Sequence, residues 1–177
     1  MTYPVFASGD VYTAQDANAI GMWLVKSQAV GTGVTSVNVT SAFSADYDAY
    51  KIVARGVQST GSGNSLQLQL NGLTTGYYAN IIYTTWASAS VVAATDNNTT
   101  LWSFAGSWSS DGLVLDVDII NPFLARPTTL NNGSYASHLG GVINGKQTSS
   151  TSVTGFTITT SGGTMTGGSI NVYGYRN

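Results

Sequence analysis

The chain has 177 residues, of which 8% are charged, with six Lys and Arg against eight Asp and no Glu; an ordinary soluble domain carries roughly 25% charged residues. The cations Lys26, Lys51, Arg55, Arg126, Lys146 and Arg176 are scattered, so no basic cluster exists to neutralise nucleic-acid phosphates or to hold a membrane surface. A 42% hydrophobic content excludes a disordered polar tail, and the absence of cysteine excludes disulfides, thiolate nucleophiles and Cys-based zinc sites.

The N-terminus shows no basic region followed by an apolar run, so it does not read as a signal peptide. Thr13-Ala-Gln-Asp16 has the spacing of a helix N-cap. Behind it Ala17, Ile20 and Leu24 fall on one helical stripe, with Trp23 on its flank. The pattern predicts a helix over about 14–28 inside an N-terminal attachment segment, residues 1–30. A single apolar stripe must dock on something, and Ile20, Trp23 and Leu24 are the candidate attachment residues.

From Val34 onward the period is two. Leu66-Gln-Leu-Gln-Leu70 alternates strictly, as do Leu113–Ile119, Gly155–Thr159 and Ser169–Tyr173. Val34–Val39, Tyr50–Val57, Ile81–Trp86, Thr99–Phe104 and Tyr135–Ile143 are further strand candidates. Gly61–Asn64, Asn71-Gly72, Asp111-Gly112, Asn132-Gly133, Asn144-Gly145 and Ser161–Gly163 read as the turns between them. Residues 121–134, with Pro122 and Pro127, read as the longest loop. The expected fold is all-β, an antiparallel sandwich over residues 31–177. A jelly roll is the preferred topology, and another sandwich order fits the same pattern.

Little in this chain equips it for catalysis. His138 is the only histidine, and its neighbour Ser137 points to the other strand face, so no nucleophile–base pair forms there. Asp116 and Asp118 share the polar face of one strand, and Asp46 and Asp48 flank Tyr47. Such pairs could ligate calcium or serve glycoside hydrolysis. Asp116 and Asp118 are the weak calcium candidates; no metal site, catalytic set or cofactor is otherwise implied. The glycine pairs at 31–33 and 61–63 lack the downstream Gly-Lys of a phosphate loop and read as turns.

Aromatic residues are the most suggestive group. Tyr77, Tyr78, Tyr83, Trp86, Trp102 and Trp108 crowd the middle third among Ser, Thr and Asn. Such rings pack cores, line subunit contacts or bind sugars. They are the candidates for a receptor, glycan or oligomer surface.

Three segments resemble small tailed-bacteriophage virion proteins. Phe6-Ala-Ser-Gly-Asp-Val-Tyr-Thr-Ala-Gln-Asp-Ala-Asn18 is similar to their opening. Phe43-Ser-Ala-Asp-Tyr-Asp-Ala-Tyr-Lys-Ile-Val53 is similar to a Tyr-Asp-x-Tyr-(Arg/Lys)-Ile strand start. Gly167-Gly-Ser-Ile-Asn-Val-Tyr-Gly-Tyr-Arg176 is similar to their closing strand. The resemblance covers the two ends and the first strands, and the middle matches only in style. It implies a minor tail or tail-fibre-like protein: a β-sandwich head on an attachment segment, commonly a homotrimer, located in the virion among other virion proteins. It carries no catalytic residue across.

The expected function is therefore a non-enzymatic tail appendage contacting the host surface, where a glycan is the expected partner. A capsid decoration or cement protein is the alternative, and a polysaccharide depolymerase using Asp116, Asp118, Asp46 or Asp48 is the third reading.

Overall fold

The computed structural model describes residues 8–9, 11, 21–55, 57–60, 64–109, 112–132 and 139–175, and these are all-β. The first strands are β1 (Met22–Ala29), β2 (Ser36–Val39), β3 (Ala49–Arg55), β4 (Gln58–Ser59) and β5 (Asn64–Leu70). The middle supplies β6 (Tyr77–Thr85), β7 (Val92–Thr99), β8 (Trp102–Ser109), β9 (Gly112–Ile120) and β10 (Thr128–Asn132). The last are β11 (Leu139–Gln147), β12 (Phe156–Thr160), β13 (Met165–Thr166) and β14 (Ser169–Tyr175).

Every described pairing is antiparallel. Twelve strands form one hydrogen-bonded sheet, branched at β9, and β4 and β13 make a separate pair. The sheet folds into two layers because β9 belongs to both. Its first half pairs with β8 through Gly112–Leu115, while Asp116–Ile120 pair with β3. A strand that changes partners midway makes the corner of a sandwich. One layer runs β2-β12-β5-β8-β9; the other runs β7-β6-β11-β10-β9-β3, continued by β14 and β1. Consecutive strands β8 to β11 form a meander.

The core lies between the layers. Leu66, Leu68 and Leu70 of β5 and Phe156 and Ile158 of β12 share one buried cluster with Tyr50 and Ile52 of β3 and Ile119 of β9. Alternation produced this, since Gln67 and Gln69 point away while the leucines between them lose all exposure. Fully burying each such side chain contributes about 1.5–3 kcal/mol. Phe43 ties the layers together, stacked on Phe156 at 5.6 Å and edge-on to Tyr50 at 4.8 Å.

The strand expected over Thr99–Phe104 divides into the end of β7 and the start of β8, and three other local expectations give way. Residues 22–28, expected as the second half of the helix, are strand: Met22–Ala29 pairs with β14 along its length. The free edge of β14 offers a full ladder of hydrogen bonds, and a bulge between Leu24 and Lys26 lets Val25 reach the core. The sheet thus takes in part of the segment expected to attach the protein, and residues 12–20 with the Thr13 cap lie outside the described residues. The 121–134 loop shortens, because Thr128–Asn132 is β10, wedged between β9 and β11. Asn144-Gly145 is no turn but the middle of β11. A Cβ at Gly145 would lie 2.6 Å from the indole nitrogen of Trp102. Glycine there makes room for the core tryptophan, not for a change of direction.

Candidate functional site

The aromatic group divides by strand face. Tyr77 and Trp102 are fully buried and meet edge-on at 5.0 Å. The Tyr77 hydroxyl accepts from the Leu70 N–H at 2.8 Å and donates to the Leu73 carbonyl at 3.1 Å. Trp102 donates its indole N–H to the Tyr78 carbonyl at 3.3 Å. Both side chains therefore pin β6 to the opposite layer. Burial pushes the Tyr77 phenol up to about 12, against a smaller lowering by the Leu70 hydrogen bond.

Tyr78 and Trp86 lie outside. Tyr78 is 39% exposed and Trp86 69%. The Trp86 ring covers Gly140, where a Cβ would approach it to 2.9 Å. Around it the outer face of β11 and β6 exposes Ile82 and Val142, which pair with each other, while Val92 of β7 is exposed on the other face, opposite Tyr83. Tyr83 is half-buried against Ile81. Trp108 is in β8, its backbone paired with Asn64 and Leu113.

The attachment candidates fall at the far edge of the same layer. Leu24 is 57% exposed, and Met22 and Trp23 beside it are also exposed on β1. Ile20 lies outside the described residues, as does His138.

The carboxylates of Asp116, Asp118 and Asp46 are internally engaged. Antiparallel pairing sets Lys51 opposite Asp118 and Val53 opposite Asp116. The Lys51 ammonium contacts Asp116 and lies 3.9 Å from Asp118. Asp118 also accepts the Tyr175 hydroxyl at 2.6 Å. Burial raises the Tyr175 phenol above its ordinary value, and the bond to Asp118 with the charges of Asp118 and Asp116 adds to it. A cation already fills the place where calcium would bind these two. Asp46 accepts from the Ser44 hydroxyl at 2.9 Å, while Asp48 takes the Asn121 N–H on its backbone oxygen. Among the described residues no three His, Cys, Asp or Glu gather to hold a metal, and no helix is long and apolar enough to cross a membrane.

Sequence reasoning missed the polar neighbours of Tyr78. Asn80, Asn144 and Lys146 are exposed on the same outer face. Alternation from Tyr78 finds Asn80, but reading Asn144-Gly145 as a turn hid the other strand.

The chain matches no family model, no curated protein and no solved structure.

Proposed function

We propose that this protein is a non-enzymatic structural component of a bacteriophage virion, a tail fibre or minor tail appendage whose sandwich head contacts the host surface. The observation that carries the reading is the outer face of β11 and β6. Trp86, Ile82 and Val142 are exposed there, and apolar side chains gathered on a surface mark a contact site. The charge-poor sequence adds support, because copies can pack together without like-charge repulsion, as a homotrimer requires. The N-terminal segment, in which Trp23 and Leu24 are exposed, is the part proposed to join other virion proteins.

Immunogold electron microscopy of phage particles from the source tests this. Gold at the tail or its tip is the expected result. Gold spread over the head overturns the appendage reading in favour of capsid decoration, and accessible particles without gold overturn the virion reading.

A further inference from the structure

The outer face that exposes Trp86 also carries a polar cup farther along the same strands. Antiparallel pairing sets Tyr78 of β6 opposite Lys146 of β11, and Asn80 opposite Asn144. These four side chains surround a shallow depression of about 260 Å³, floored by Ala79 and Gly145. Ala79 is buried, and a Cβ on Gly145 would run into the Trp102 indole on the core side. Nothing but backbone is left at the base of the cup.

The groups around the rim are unspent. Among the described residues, no hydrogen bond or ion pair takes up the Asn80 and Asn144 amides or the Lys146 ammonium. The nearby acids are committed elsewhere. Asp118, which faces Asn131 on β10, is held by Lys51 and Tyr175. Asp96, opposite Ala79 on β7, is buried and accepts both the N–H and the hydroxyl of Ser103. The field in the cup is therefore that of one unmatched cation.

Each group selects for a chemistry. An aromatic face takes the C–H side of a sugar ring. Two amides each offer a donor pair and an acceptor, which suits hydroxyls that both give and receive hydrogen bonds. A lysine ammonium is a point charge with three donors, fitted to a carboxylate. A nucleic acid would need clustered cations along its backbone, and only one is present.

We infer that the cup between β6 and β11 binds a carboxylate-bearing sugar residue, with Tyr78 on the ring, Asn80 and Asn144 on hydroxyls and Lys146 on the carboxylate. The inference rests on the host-contact reading above and names the ligand class for that face.

The test is binding of the full chain to immobilised uronic-acid oligosaccharides, alongside the same oligosaccharides with their carboxyls reduced to alcohols. Uronate binding is expected, weakened about tenfold or more by carboxyl reduction, by Tyr78→Ala and by Lys146→Ala. Arg55→Ala, an exposed cation on β3, should leave it unchanged. Thermal unfolding of each variant should match the parent, since the substituted side chains are exposed. The inference is overturned by no uronate binding, by equal binding of reduced oligosaccharides, or by binding that survives both Tyr78→Ala and Lys146→Ala. Gold on tails without uronate binding removes the cup and keeps the appendage. Variant-sensitive uronate binding without gold on any particle does the reverse.

Discussion

Tyr77 and Tyr78 are consecutive residues of β6 that occupy different media. Tyr77 is sealed in the core against Trp102, its hydroxyl consumed by backbone groups of the opposite layer. Tyr78 stands in water beside Asn80 and Lys146. Trp102 and Trp86 repeat the contrast, one wholly enclosed and one 69% exposed. The two-residue period of β6 sorts Tyr77 from Tyr78. The inner population, Tyr77 and Trp102, holds the layers together, and the outer one, Tyr78 and Trp86, is exposed to solvent.

The sharpest way to break this division is Trp102→Ala. Removing a fully buried indole should cost about 3–5 kcal/mol, through lost transfer energy and the cavity left behind. Urea unfolding measures it directly, and a midpoint near the parent's would mean that Trp102 does not fill the core. Gly145→Val sharpens the same point from the other side, because its side chain would compete for the space the indole occupies. Overpacking of this kind costs about 1–3 kcal/mol.

Tyr77→Phe keeps the ring and removes the oxygen. The Leu70 N–H then loses its acceptor and the Leu73 carbonyl its donor inside the core, at a cost of about 1–3 kcal/mol at neutral pH. The substitution also changes the alkaline limb of stability. The folded chain holds the Tyr77 proton more tightly than the unfolded chain, with the phenol moved from 10.0 to about 12. Its contribution is whole below pH 10 and drains away as pH rises from there through about 12. Tyr50 and Tyr175 shift in the same direction, so some loss persists in the variant. Unfolding midpoints taken between pH 8 and 12 should fall less steeply for Tyr77→Phe than for the parent.

Legibility in the sequence followed the same division. Where one face was uniformly apolar, as in Leu66-Gln-Leu-Gln-Leu70, alternation alone located the strand and its buried side. It failed where burial is weak. The edge strand β1 has no fully buried residue, so its apolar side chains matched a helical stripe by chance of spacing. β7 hid for the same reason, since Val92-Ala-Ala-Thr-Asp-Asn-Asn-Thr99 buries only Asp96. β10 lay in a segment that two prolines marked as loop, although both precede the strand. Asn144-Gly145 is the instructive case. A glycine demanded by a distant tryptophan carries the same letters as a glycine demanded by a turn, and only the fold tells them apart. The cup around Tyr78 was illegible because its other wall is that misread segment.

Trp86→Ala is the smallest expected effect on stability and the most direct test of the outer population. The indole is mostly in solvent and rests over Gly140 at the end of the sheet. Its removal exposes little new apolar surface, so the unfolding free energy should stay within about 0.5 kcal/mol of the parent. A loss as large as that of Trp102→Ala would mean that Trp86 packs within the protein and is not available to a partner. With stability unchanged, the same variant isolates the contact role of the face. If Trp86, Ile82 and Val142 meet the host surface, adsorption of particles carrying Trp86→Ala should fall while their assembly stays normal. If they instead meet a second copy of the chain, the loss should appear in the oligomeric state of the purified protein. The pairing of these two readouts decides what the exposed aromatics are for, which their number in the sequence could not.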